Sequence, residues 1–214
     1  MYERSGREMT LDEMHDVFRE SYAEEIAKYA EVTPNFNFWF RSGPYAGEKD
    51  IERRFGIGLE QCEKYQTWYE KHPEEVIWIS EDGIPGIEIG FDIDLDGVPV
   101  RGFIDAVIDN GVEIIVRDNK TGNTPGDDFQ LGVYKVALEK QFGVEGIEHG
   151  DYWMGRSGKP TYPYKIGEWT EERITEEFHK LEENIQAERF EALPEASKCM
   201  FCSVNLSCEF SASA

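Results

Sequence analysis

Two carboxylates, a lysine, an amide and a phenol crowd one short run of this chain: Asp105, Asp118, Lys120, Gln130 and Tyr134. Hard divalent cations such as Mg²⁺ or Mn²⁺ take oxygen ligands and keep several waters, so two convergent carboxylates can share one. Convergence follows from the residues between them. Asn110-Gly111 lies between two β-branched runs and reads as a two-residue hairpin turn, because Asn-Gly tolerates the positive φ that a type I′ turn needs at both centres. That turn predicts a register with Asp109 against Val112, Asp105 against Val116 and Phe103 against Asp118. Asp105 and Asp118 are then diagonal neighbours on one face, about 7–8 Å apart at the backbone. Lys120 lies two residues beyond Asp118 and shares its face. Asn119 turns its side chain away, although its carbonyl could still reach a metal.

In this order and spacing, Asp105, Asp118-Asn119-Lys120 and Gln130-x-x-x-Tyr134 resemble the RecB-like branch of the PD-(D/E)XK nuclease superfamily. The resemblance implies an α/β fold of the restriction-endonuclease-like type: a mixed central sheet with flanking helices and a C-terminal cysteine-rich appendage. It implies hydrolysis of phosphodiester bonds in DNA, by an exonuclease acting on single strands or ends. Asp105, Asp118 and Asn119 would then hold Mg²⁺ or Mn²⁺, and Lys120 would position water and stabilise developing negative charge. Gln130 and Tyr134, four apart on one helical face, would orient the DNA strand. The branch often carries an acid where Glu88 stands, and a solvated strand residue is the plainer reading of that position.

The surrounding elements follow from periodicity and punctuation. Thr10 to Glu13 form a capping box, and Leu11, Met14, Phe18 and Tyr22 recur at helical spacing, which predicts an opening helix of about five turns. Residues 32–50 mix aromatics with Pro and Gly and read as a loop packed on the core or lining a substrate groove. A second helix is expected from Gly58 to Lys71, and a short strand from Val76 to Ile79. Ile87 to Leu95, the turn Asp96-Gly97 and Val98 to Asp109 make, with the strand after Asn110-Gly111, an antiparallel meander. Asp92-x-Asp94-x-Asp96-Gly97 opens like a calcium loop, but its twelfth position is Phe103 and flanking helices are missing, so that reading is rejected. Residues 121–126 read as a loop before a helix from Asp127 to Gln141. Tyr152 to Met154 form a further strand, and Thr170 caps a helix to Ala192 with Ile174, Phe178, Leu181 and Ile185 inward.

Length and charge set bounds. With 214 residues the chain accommodates one nuclease-like domain over 1–194 and a cysteine-rich tail over 195–214. The net charge of −22, from 44 acids and 22 bases, is opposite to the basic footprint of most nucleic-acid binders. It argues against strong non-specific binding to long DNA and leaves room for a local basic channel. Arg156 and Lys159, in the turn from Gly155 to Pro160, are candidate phosphate contacts, with an exposed basic turn as the plainer reading. No apolar run approaches the roughly 18 residues of a membrane span, and no charged-then-apolar leader opens the chain. The expectation is a soluble, cytoplasmic protein with DNA as partner and no membrane.

Cys199, Cys202 and Cys208 crowd the C-terminus while Cys62 stands alone. Three clustered thiolates call for a fourth ligand, as in a Cys₄ zinc or [4Fe–4S] site. The chain is similar here to CRISPR-associated and helicase-linked iron–sulfur exonucleases of the RecB-like branch, which carry such a trio after their last helix. That likeness implies an iron–sulfur cluster, with zinc as the alternative, Cys62 as candidate fourth thiolate, and recombination or CRISPR-type proteins as partners. Those enzymes also have an N-terminal Cys-Pro segment and a Gly-x-x-x-His helix, and neither is found, so an N-terminal segment is expected to be missing. Two other readings stay open: a catalytically inactive DNA- or protein-binding module that keeps the fold, and a small zinc or iron–sulfur metalloprotein.

Overall fold

The computed structural model describes residues 9–39, 44–122, 125–200, 202 and 204–212. Positions 40–43 of the aromatic stretch, 123–124 of the loop after Lys120, and 201 and 203 of the cysteine tail lie outside the described residues. Helix α1 (Leu11–Val32) starts where the capping box requires: Thr10 Oγ1 accepts the Glu13 N–H at 3.3 Å, and the Glu13 carboxylate accepts the Thr10 N–H at 2.9 Å. Its Phe18 and Tyr22 meet Phe55 of α2 (Glu48–Lys71), with ring centroids 5.7 and 5.5 Å away. A Cβ on Gly58 would lie 2.0 Å from the Phe18 ring, so glycine is what lets the two helices close. Helix α2 therefore begins at Glu48 rather than Gly58. Gly56 and Gly58 weaken its periodic signal, but tertiary contact outweighs their propensity cost of about 1 kcal/mol each.

Strands β1 (Val76–Ile77), β2 (Ile87–Leu95), β3 (Val98–Asp109) and β4 (Ile114–Lys120) form the expected antiparallel system, with β1 cut short and Ile79 left in an isolated bridge to Pro85. At the β2–β3 turn both central residues take positive φ, 52° at Asp96 and 91° at Gly97, as a type I′ turn demands. The β3–β4 turn differs from the predicted one. Asp109 pairs with Ile114, which leaves a four-residue loop at positions 110–113. Of its residues only Gly111 takes positive φ, and the Asn110 side chain instead accepts the Val112 and Glu113 amides, each at 2.9 Å. A side chain that bonds its own backbone offers a wider turn a competing solution. The resulting shift is two residues, so the paired residues from Ala106 to Asp109 keep their predicted parity, and carrying the ladder one pair past Ala106–Arg117 sets Asp105 opposite Asp118 rather than diagonal to it.

Helix α3 (Asp128–Phe142), capped by Asp127, carries the chain over the sheet to β5 (His149–Met154), which runs parallel to β4. Short strands β6 (Lys159–Pro160) and β7 (Tyr164–Lys165) share the far edge of β5. The sheet order is β1-β3-β4-β5-β6, with β2 also on β3 and β7 also on β5. Residues Leu131 to Leu138 of α3 are buried without a break. The helix is enclosed all round rather than amphipathic, covered by the sheet below and by Trp169 and α4 (Glu171–Gln186) beside it. Ile104 and Val107 both join this main core although three residues separate them, while Ala106, Ile108 and Ile115 form a second cluster on the opposite face. The sheet thus coils sharply between positions 104 and 107.

Helix α4 is capped by Thr170 and ends at Gln186, short of Ala192. Ile174 is buried and Phe178 packs on the core, but Leu181 and Ile185 are 51% and 53% exposed rather than inward, because the helix outruns the sheet beneath it. The last pieces are α5 (Ala196–Cys199) and a 3₁₀ turn at Asn205–Ser207. A Cβ at Gly132 would sit 2.4 Å from the Trp169 ring. Gly132→Ala is therefore expected to destabilise by about 1–3 kcal/mol through overpacking, read as a lower urea midpoint with unchanged slope.

Candidate active site

Neighbouring residues of β4 face opposite sides of the sheet, and each side is anchored differently. Arg117 is 1% exposed and uses all five of its N–H donors. Two go to Asp151 at 2.7 and 2.8 Å, two to Glu75 at 2.6 and 3.3 Å, and one shares the Tyr69 hydroxyl at 2.9 Å. Burial alone would favour a neutral guanidine, but the hydrogen bonds of Asp151 and Glu75 outweigh it and hold the group protonated. The network clamps β4 to β5 and to the end of α2, under an aromatic layer of Tyr65, Trp68, Tyr69 and Trp153. Sequence reasoning passed over Arg117. Its signal was a lone arginine inside the otherwise apolar start of a strand, Ile114-Ile115-Val116-Arg117.

On the other face Asp118 is 2% exposed. Its Oδ1 accepts from Gln130 Nε2 at 2.7 Å and from the Tyr134 hydroxyl at 3.2 Å. Gln130 spends its second N–H on the Tyr134 oxygen at 2.8 Å and accepts from Lys120 Nζ at 3.4 Å. The Lys120 ammonium lies 2.6 Å from Asp118 Oδ2 and 5.6 Å from the centre of the Tyr152 ring. Asp118, Lys120, Gln130 and Tyr134 thus come together as the sequence predicted, although Gln130 and Tyr134 bond the carboxylate itself. Burial pushes the Tyr134 phenol up, so it stays a hydrogen-bond donor at neutral pH.

Asp105 completes the group. The β3–β4 ladder ends at Ala106 and Arg117, and beyond it Asp105 Oδ2 takes the Asn119 N–H at 2.8 Å in place of a backbone partner. Burial raises the Asp105 carboxyl above the usual carboxylate range, the Asn119 hydrogen bond opposes this, and the Asp118 charge adds to it. Glu88 takes φ 47° within β2, a region uncommon for a residue with a side chain. Its carboxyl is also raised, by partial burial and then by the charges of Asp105 and Asp118. Glu88 is exposed on its strand, as the plainer reading has it, and still feels the charges of Asp105 and Asp118.

These residues fit a divalent cation. Asp118 Oδ2 is buried without an aligned hydrogen-bond donor, since Lys120 approaches it off the bonding direction, and two further carboxylates lie close enough to feel its charge. Among the described residues no group of three or more His, Cys, Asp or Glu is gathered to hold a metal alone. What the site could supply is a pair of carboxylates whose cation keeps several waters. The cysteines fare differently. Cys62, Cys199, Cys202 and Cys208 are all free, Cys202 and Cys208 are exposed, and Cys62 is partly buried on α2 with its thiol raised by that burial. The zinc or iron–sulfur expectation finds no support among the described residues.

A mixed sheet between helices, with an acid opposite an acid-x-Lys strand, defines a restriction-endonuclease-like protein of the PD-(D/E)XK class. The family model of the PD-(D/E)XK nuclease superfamily matches residues 11–209, and the chain belongs to that superfamily. It is 52% identical over 212 residues to the Gene 69 protein of Mycobacterium phage D29, covering 97% of this chain and 78% of that protein. It is 50% identical over 234 residues to the Gene 69 protein of Mycobacterium phage L5, covering 97% of this chain and 80% of that protein. Among the described residues no helix is long and apolar enough to cross a membrane.

Arg117→Met leaves Asp151 and Glu75 as buried, unpaired charges. A loss of about 3–5 kcal/mol is expected in urea unfolding. Asp105→Asn keeps an acceptor for the Asn119 N–H and removes one of three like charges. It should raise the melting temperature in EDTA by on the order of 1–2 °C, corresponding to about 0.5 kcal/mol; an unchanged or lower value would contradict the repulsion.

Proposed function

We propose that the chain is a Mg²⁺- or Mn²⁺-dependent deoxyribonuclease of the RecB-like branch, acting as an exonuclease on single strands or ends. The observation that carries the reading is the divided state of Asp118: one oxygen is held by Gln130 and Tyr134, and the other is buried without an aligned donor beside Lys120. Asp105, Asp118 and the Asn119 carbonyl would hold the cation, which when bound supplies Lewis-acid polarisation of the scissile phosphate. Lys120 places a positive charge where negative charge grows on the phosphate and its attacking water. Gln130 and Tyr134 fix the Asp118 carboxylate in rotation, so its second oxygen stays turned toward Lys120. The Asn119 N–H does the same for Asp105.

Purified protein with Mg²⁺ or Mn²⁺ should shorten end-labelled single-stranded DNA and leave it intact in EDTA. Asp118→Ala and Lys120→Ala should each lower the rate at least about 10²-fold, the scale of losing one charge-stabilising group. Gln130→Ala, which loosens the carboxylate without removing it, should cost about 10-fold, mainly as weaker metal dependence. Equal cleavage by wild type and Lys120→Ala would sink the assignment, and intact DNA binding without cleavage would select an inactive binding module. The pH profile carries a sign. Asp105 and Glu88 are raised, so they protonate earlier on acidification than ordinary carboxylates. At subsaturating cation, where protons and metal compete for the free site, activity should therefore begin to fall at a pH above the ordinary carboxylate range of about 4, and Glu88→Gln should move that limb toward lower pH.

A further inference from the structure

We propose that Lys64, Arg156 and Lys159 form a phosphate-binding track that carries the DNA strand past the end of β4, a proposal that rests on the deoxyribonuclease reading. Three backbone carbonyls lace the track to the site. Gly155 donates its N–H to Lys120 O at 2.8 Å, Gln61 of α2 donates to Thr121 O at 3.2 Å, and Lys64 Nζ donates to Arg156 O at 2.9 Å. The turn is shaped for this seat. A Cβ on Gly155 would lie 2.7 Å from Gln61, one on Gly158 would lie 2.7 Å from Lys64, and Gly158 takes φ 68°. Lys159 follows at the start of β6, paired with Met154, which in turn pairs with Lys120 across β4 and β5. The backbone of Arg156 and Lys159 is thus fixed in relation to Lys120, and Lys64 joins it through its own ammonium.

Charge makes the arrangement informative. In a chain with twice as many acids as bases, most lysines and arginines here pair with a carboxylate. Lys64, Arg156 and Lys159 enter no ion pair among the described residues, although Glu60 and Glu63 sit within one turn of Lys64 on the same helix. Arg156 and Lys159 are exposed, while Lys64 is held over the turn with its stem against Gly158. Unpaired, partly preorganised cations at the end of a proposed hydrolytic site suit a chain of phosphates better than a neutral or cationic partner.

The test uses the Asp118→Ala protein, which cannot cut, and a fluorescein-labelled single-stranded oligonucleotide of about 20 nucleotides, long enough to span a single-strand groove. Anisotropy titrations across KCl concentration compare it with the same protein carrying Lys64→Met, Arg156→Gln and Lys159→Gln, where Met keeps the stem that packs on Gly158. Each lost phosphate contact flattens the log–log salt slope by about 0.7, so the triple change should flatten it by about 2 and weaken binding tenfold or more near physiological salt. In the Asp118 background the same three changes should raise KM with kcat within about twofold, since they touch no reacting group. An unchanged slope in a variant that keeps the parental melting temperature overturns the track, and wild-type cleavage would then leave the nuclease reading standing. Failure of wild type to cut, together with failure of the Asp118→Ala parent to bind, rejects both.

Discussion

A single buried guanidinium holds β4 in place. Arg117 and Asp118 are consecutive on β4, so fixing one side chain fixes the direction of the other. Arg117 ties the strand to β5 through Asp151 and to the end of α2 through Glu75 and Tyr69. The desolvation of such a cation is several kcal/mol and is offset only when every donor finds an acceptor. Here all five do, and the stringency of that requirement leaves the strand little freedom to slide. The polar face of the sheet supplies rotational and longitudinal register, and the face toward α3 inherits it as a fixed position for Asp118.

Toward α3 the physics runs the other way, because interactions are left incomplete. Three carboxylates approach one another, one of them on a backbone with positive φ, and the β3–β4 ladder is given up where they meet. Gln130, Tyr134, Lys120 and the Asn119 amide neutralise or orient part of this charge. One Asp118 oxygen remains without an aligned donor. Its partner there is the Lys120 ammonium at 2.6 Å, and the like charges gathered around it cost free energy in the isolated chain that a bound cation would relieve. The clamp on one face is what allows incompleteness on the other.

Much of this was legible in the residues. Strand alternation put Asp118 and Lys120 on one face, helical spacing put Gln130 and Tyr134 on another, the family resemblance linked the two, and the structure joins them by hydrogen bonds. The predicted hairpin at Asn110-Gly111 was too tight by two residues, yet parity across the paired part of β3 and β4 was kept, while alternation is broken between Ile104 and Val107. What could not be read were properties that exist only across the fold. Gly58 looks like a helix break until Phe18 of another helix is seen lying on it. Leu181 and Ile185 keep helical periodicity past the point where the core ends. Arg117 has no local partner at all, since its acceptors come from Glu75 and Asp151, each more than thirty residues away. The cysteine spacing suggested a metal, but spacing fixes a ligand set only if the fold brings thiols together.

The net charge of −22 then takes on a different meaning. A long polyanion approaching from a distance meets overall repulsion, so loose association along its length is disfavoured. Within the screening length of about 8 Å at physiological salt, however, the distant acids fade and the local groups decide. At the end of β4 the local cation is Lys120, 2.6 Å from Asp118, and the turn that carries Arg156 and Lys159 is joined to it through the Gly155 N–H. Repulsion at long range and attraction confined to one spot disfavour a partner that must lie along the acidic surface. An excess of acid is in this way compatible with membership of a nuclease superfamily.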